Sequence, residues 1–183
     1  MESLLSSFAL VAASEMGDKT QLLAFSLSAR FKKPMPILCG IFVATVFNHL
    51  LASALGSFAS SLISKNLLKI LLALTFFIFS LWTLKPDELN EESQESRWGP
   101  FWTTLILFFL AEMGDKTQLA TVALGARFSS VFEVTLGTTL GMMVSDGLAV
   151  FVGHQLADRL PMEWIRRAAA ALFFVFGLLV LLA

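Results

Sequence analysis

Apolar residues along the chain collect into six stretches, at about residues 4–28, 35–57, 66–84, 101–125, 132–153 and 165–183. Each is roughly 19–25 residues long, enough to cross the hydrocarbon core of a bilayer as a helix. The breaks between them are polar or carry proline. Arg30-Phe31-Lys32-Lys33-Pro34 closes the first stretch, Lys85-Pro86 closes the third, Gly99-Pro100 precedes the fourth and Pro161 precedes the sixth. The pattern predicts an all-α integral membrane protein with six transmembrane helices. Composition agrees, since 56% of residues are hydrophobic, only 15% are charged and the mean hydropathy is +0.76, too apolar for a water-soluble domain.

Two polar runs interrupt this pattern near the centres of the first and fourth stretches. Glu15-Met16-Gly17-Asp18-Lys19-Thr20-Gln21 recurs unchanged as Glu112-Met113-Gly114-Asp115-Lys116-Thr117-Gln118. The same shift of 97 residues (15 to 112) lays Ala29-Arg30-Phe31 on Ala126-Arg127-Phe128, Gly40 on Gly137, Leu51-Ala52 on Leu148-Ala149 and Gly56 on Gly153. This is an internal duplication without gaps. Residues 1–84 and 100–183 each hold three spans, an odd number, so the second repeat enters the membrane from the opposite side. The expected architecture is two inverted-topology three-helix repeats with a binding site near the midplane at their interface. Residues 85–99, carrying Asp87, Glu88, Glu91, Glu92 and Glu95, read as a solvated cytoplasmic linker.

Basic residues set the orientation. With the N-terminus outside, the inner loops hold Arg30, Lys32, Lys33, Lys85, Arg97, Arg159, Arg166 and Arg167, against Lys65, Lys69 and Arg127 on the outer side. Both termini are therefore expected outside, with Trp82, Trp98, Trp102 and Trp164 at the inner interface. No basic leader precedes the first span, and a bacterial-type cytoplasmic membrane is the simplest location.

Two carboxylates, an ammonium, a hydroxyl and an amide are costly at midplane depth, and a chain that holds them twice has a use for them. On a continuous helix Glu15 and Asp18 share a face and Lys19, four residues on, neutralises Glu15. Gly17 weakens that helix and allows close approach. Antiparallel apposition of the two motifs would gather Glu15, Asp18, Glu112 and Asp115, with Thr20, Thr117, Gln21 and Gln118 as neutral oxygen ligands. Such oxygen-rich surroundings suit Mg²⁺, Ca²⁺ or Mn²⁺. With Lys19 and Lys116 as charge-balancing groups the pair of motifs carries −2, which one divalent cation balances. Once the ion leaves, two of the four acids are expected to take up protons, because crowded carboxylates do not all ionise. Divalent cation and proton are thus the expected substrates, with the bilayer as the surrounding partner. Met16 and Met113 either add thioether ligands that favour Mn²⁺ or fill gaps.

In the second and fifth stretches, Gly40, Ala44 and Asn48 recur as Gly137, Gly141 and Ser145, a small residue every four that permits close helix contact. One residue on, His49 corresponds to Asp146. These two are either a proton relay or water-satisfied groups near helix ends. Cys39 is the single cysteine, and His49 and His154 are the two histidines, which excludes an internal disulfide and any Cys- or His-rich metal centre. No resident cofactor and no nucleic-acid partner are expected. A G-x-G-D protease element fails because residue 15 is Glu, and neither E-x-x-H nor H-E-x-x-H occurs, so an enzyme is not expected. The rival readings are export of a cationic amino acid such as lysine and, from another class, a structural membrane assembly factor.

The duplicated E-x-G-D-[KR]-[TS] signature, carried by Glu15, Gly17, Asp18, Lys19, Thr20 and by Glu112, Gly114, Asp115, Lys116, Thr117, resembles that of uncharacterised protein family 0016. The likeness covers nearly the whole chain and departs at no defined position. It implies export of Mn²⁺ or Ca²⁺ from the cytosol, in exchange for protons, and a fold akin to lysine-exporter-type transporters.

Overall fold

The computed structural model describes residues 1–85, 98–152 and 162–182. Most of the acidic linker, together with Gly153, His154, Arg159 and Pro161, lies outside the described residues. Within them every regular element is helical: α1 (Glu2–Glu15), α2 (Lys19–Phe31), α3 (Pro34–Leu62), α4 (Lys65–Thr83), α5 (Pro100–Glu112), α6 (Lys116–Phe128), α7 (Val131–Val152) and α8 (Met162–Leu182).

One expectation is corrected at once: the first and fourth apolar stretches are not continuous helices. Each is a pair of half-helices, α1–α2 and α5–α6, parted at Met16–Asp18 and Met113–Asp115. The cause is local. Gly17 and Gly114 take φ of +84° and +79°, where a side chain is strained, and the residues on either side are extended, with ψ of 112° at Met16 and 169° at Asp18. Asp18 and Asp115 then start the second half-helices, and only Asp115 caps its own, accepting from the Gln118 N–H at 2.7 Å. Lys32 and Ser129 end α2 and α6 in the left-handed conformation, their N–H groups donating to the carbonyls of Ser28 and Gly125.

Among the described residues three helices are long and apolar enough to cross a membrane by length and composition, Pro34–Leu62, Lys65–Thr83 and Val131–Phe151. The polarity of the molecule is inverted relative to a water-soluble protein. Phe42, Phe47, Leu51, Leu55 and Phe58 of α3 face outward, while Ser7, Thr45, Ser53, Thr104, Thr121 and Thr138 are fully buried. An apolar exterior around a polar interior is what hydrocarbon surroundings require.

Close helix contact is set by glycine. A Cβ on Gly40 of α3 would stand 2.8 Å from the Phe101 carbonyl oxygen of α5, and one on Gly137 of α7 would stand 2.4 Å from the Leu4 carbonyl oxygen of α1. Gly141 meets Phe8 and Ala12 of α1 in the same way, and on the other flank Gly56 and Gly125 seat α3 against α6. Phenylalanines fill the remaining seam between α4 and α8, with Phe76 stacked on Phe173 at 6.4 Å and edge-on to Phe176 at 4.9 Å. Gly137→Ala is therefore expected to force α1 away from α7 and to destabilise the protein by roughly 1–3 kcal/mol. Gly147→Ala, where the nearest atom is Leu38 Cδ2 at 3.9 Å, is expected to leave the thermal unfolding midpoint in detergent unchanged or slightly raised.

Candidate cation site

Breaking the helix at each motif turns the end of one half-helix and the start of the next toward the centre of the molecule. Glu15 ends α1 and Glu112 ends α5, and both are fully buried. Carboxylate oxygens of Glu15, Glu112 and Asp115 lie within 4.8 Å of one another, so three of the four motif acids, drawn from both copies, form one group. Asp18, the fourth, is also buried and is held on Lys116 of the other motif, Nζ to Oδ1 at 2.8 Å.

That pairing differs from the local one expected on a continuous helix. Once the chain turns at Gly17, the i,i+4 geometry that would place Lys19 on Glu15 no longer exists, and the bond that forms runs between motifs. The two lysines consequently differ: Lys116 is buried, whereas Lys19 is half-buried.

Hydroxyls finish Glu15. Thr20 donates to its Oε2 at 2.7 Å, and Thr117 donates to its Oε1 from the opposite motif. Among the described residues neither carboxylate oxygen of Glu112 has a hydrogen-bond partner, nor does Oδ2 of Asp115. Buried carboxylate oxygens left without donors are groups in want of a proton or a cation.

The motif glutamines are placed differently from the acids. Gln21 Oε1 accepts the Gly17 N–H and Gln118 Oε1 accepts the Gly114 N–H, each at 2.8 Å. Their amide nitrogens reach the long helices: Gln21 donates to the carbonyl and hydroxyl oxygens of Ser145 on α7, at 3.2 and 3.3 Å, and Gln118 to Asn48 Oδ1 on α3 at 3.5 Å. Each glutamine thus fastens its glycine turn to a long helix of the other half of the chain. Asn48 is anchored in turn on the Phe109 carbonyl at 3.2 Å. Sequence reading had seen in Asn48 and Ser145 only small packing residues. Their place one position before His49 and Asp146 was the available signal.

His49 and Asp146 are fully buried, and none of their polar side-chain atoms has a hydrogen-bond partner among the described residues. Both lie within long helices, His49 in α3 and Asp146 in α7, rather than at helix ends. Met113 is exposed and Met16 half-buried. Met113, with Gly114, Asp18, Asp115, both lysines and Trp82, lines a cavity of about 150 Å³ that adjoins the carboxylate group. Trp82, near the end of α4, was expected only as an interfacial anchor.

The sequence that builds this centre is similar to known proteins. The profile of the family described as "Divalent cation/proton antiporter GDT1" matches residues 3–91 and 100–183, nearly the whole chain. The chain belongs to the GDT1 family of divalent cation/proton antiporters. A Vibrio cholerae protein described as "Putative manganese exporter" is 43% identical over 179 residues, covering 97% of this chain and 90% of that relative. Among plant GDT1 relatives, "GDT1-like protein 3" of Arabidopsis thaliana is 28% identical over 204 residues, 96% of this chain and 69% of its own length. "Protein PAM71-homolog, chloroplastic" of the same plant is also 28% identical, with 93% and 56% covered. No solved structure matches the chain. Membership fixes the broad class, since the family is one of membrane transporters described as divalent cation/proton antiporters and not of enzymes.

Proposed function

We propose that this chain exports a divalent cation from the cytosol, Mn²⁺ before Ca²⁺, in exchange for protons, through one site made of Glu15, Glu112 and Asp115 with Asp18 and Lys116 beside it. The observation that carries this reading is the meeting of carboxylates from both motifs within 4.8 Å. Oxygen ligands of that kind suit a hard or borderline divalent ion, and Met113 on the adjoining cavity adds a sulfur that favours Mn²⁺. The likeness to a described manganese exporter supports the same ion. A lysine substrate is disfavoured, because the buried ammonium of Lys116 already occupies Asp18.

On this reading the six apolar stretches span the membrane as two inverted repeats. Helix starts recur at the 97-residue shift, Lys19 with Lys116, Pro34 with Val131 and Lys65 with Met162. The glycine contacts recur too, Gly40 against Phe101 and Thr104 as Gly137 against Leu4 and Ser7. Thr45 donates to the sulfur of Met142, its own counterpart, at 3.1 Å, as residues near an axis exchanging the halves would. With both termini outside, the cavity beside Trp82 would lie toward the cytosol, as an inward-facing state requires. Rocking the repeats would exchange the Lys116–Asp18 pair for its counterpart, Lys19–Asp115, and turn the site outward.

His49 and Asp146 are assigned to proton movement between the site and one face. Asp146→Asn is expected to slow exchange about tenfold or more, the scale of a lost proton-transfer group, while changing Mn²⁺ affinity little. Equal losses in both would return Asp146 to a structural role.

Uptake into proteoliposomes of the purified protein tests the whole reading, comparing Mn²⁺, Ca²⁺, Mg²⁺ and lysine with and without an inside-acidic gradient. Faster Mn²⁺ uptake together with internal alkalinisation is expected. Uptake indifferent to the gradient, or lysine carried in place of Mn²⁺, would overturn it.

A further inference from the structure

At the end of the molecule opposite the Trp82 cavity, the C-terminal part of α3, the first turns of α4, the end of α6 and Val180 of α8 border a second, half-open cavity of about 400 Å³. Three cations line it: Lys65, Lys69 and Arg127. Among the described residues no carboxylate lines it. In the orientation proposed above these three are all the basic residues of the outer face, and they converge on one place rather than spreading around the rim. Three like charges gathered around one half-open cavity repel one another, a cost that an anionic ligand between them would relieve.

The remaining lining is of two kinds. Ser60 and Ser129 approach each other, Oγ to Oγ at 3.2 Å, and between them can turn a hydroxyl into the cavity. Leu68, Leu72 and Val180 form an apolar wall. Beyond that wall the outward side of α4 continues as exposed Leu67, Ile70, Leu71 and Leu74, the side that faces acyl chains in a bilayer. Arg127 is held over the Phe128 ring at 5.6 Å and is half-buried, so its guanidinium is positioned rather than loose. A ligand for this cavity carries an anionic, hydrogen-bond-accepting head and an apolar body that leaves along α4. Both requirements are met by one class of molecule already in the membrane.

We propose that the cavity holds the phosphate of an anionic phospholipid, gripped by Lys65, Lys69 and Arg127, with its acyl chains along α4. The lipid bridges α4 and the C-terminal end of α6. Since α6 is a rigid rod of about 20 Å whose other end carries Lys116 and Thr117, the lipid also steadies the half-helix that serves the cation site.

The proposal rests on the chain lying in a bilayer but not on which ion it carries. Native mass spectrometry of the full-length protein in detergent, with phosphatidylglycerol or phosphatidylcholine added at equal concentration, provides the test. The unaltered protein is expected to retain phosphatidylglycerol roughly tenfold over phosphatidylcholine, and the K65Q/K69Q/R127Q variant to lose that preference. Lys65→Gln alone, at the exposed first turn of α4, guards against misfolding and is expected to lose part of it. K32Q/K33Q, at the other face, is expected to keep it. Glu112→Gln is expected to keep it as well, so a failure of the transport reading would leave this result standing. Equal retention of the two lipids, or retention unaffected by the triple substitution, would overturn the proposal. Complete displacement of phosphatidylglycerol by millimolar inorganic phosphate would do so too, by reassigning the cavity to free phosphate.

Discussion

Replacing Glu112 by glutamine is expected to abolish Mn²⁺ transport while leaving the protein at least as stable as before. Both carboxylate oxygens of Glu112 are buried without a hydrogen-bond partner, in a group that includes Glu15 and Asp115. An amide of the same shape removes a desolvated charge and its repulsion from the neighbouring acids, which favours the folded state. It also removes one unit of negative charge from beside the ion. At an effective dielectric near 20, a pair of unit charges about 4 Å apart is worth about 4 kcal/mol, so even half of that against a divalent cation weakens binding well over tenfold. Stability and transport are therefore expected to move in opposite directions, the mark of a group kept for binding. Glu15→Gln is expected to lose transport equally but to gain less stability, because Glu15 is already held by Thr20 and Thr117. Thermal unfolding in detergent and uptake assays on the same preparations check both halves. Undiminished uptake in either variant would contradict a site shared between the motifs.

The second large effect is expected at the lysines, and it is unequal. Lys116→Met removes the buried partner of Asp18, and breaking a buried ion pair from one side costs about 3–5 kcal/mol. Lys19→Met, at a half-buried position, is expected to cost under about 1 kcal/mol. Adding Asp18→Asn to Lys116→Met is expected to recover much of the lost stability, a coupling that a double-mutant cycle of unfolding midpoints measures. Transport is expected to fall in both single variants, because exchange between the two faces would use Lys116–Asp18 in one state and Lys19–Asp115 in the other. Equal destabilisation by the two lysine variants would contradict the asymmetric pairing.

These effects also mark what the sequence allowed and what it did not. Hydrophobic runs mark where helices lie, and the 97-residue duplication singles out Glu15, Asp18, Glu112 and Asp115, of which the structure gathers Glu15, Glu112 and Asp115 into one group. The small residues Gly40, Gly137 and Gly141 were read as contact points and are so used. What the one-dimensional pattern hid was the break. Residues 4–28 are apolar enough on both sides of the motif to read as one helix, and Gly17 alone signalled only a weakened one. Glycine permits the positive φ seen at Gly17 and Gly114 but does not require it, so the residue type alone does not announce a break. Once the helix is taken as continuous, the i,i+4 rule assigns Lys19 to Glu15, and the pairing of Lys116 with Asp18 is invisible because the partners lie 98 residues apart. For the same reason Gln21 and Gln118 read as spare oxygen ligands, although their Oε1 atoms accept the glycine N–H groups that the break exposes.

The central claim, that both motifs build a single cation site, is tested most directly by counting bound ions. Titration of the purified protein with Mn²⁺, followed by electron paramagnetic resonance of the free ion, is predicted to give one site per chain. Glu15→Gln in the first motif and Glu112→Gln in the second are each predicted to abolish that site entirely. Two sites per chain, with each variant removing one and leaving the other intact, would show that the motifs bind ions separately and would contradict the account.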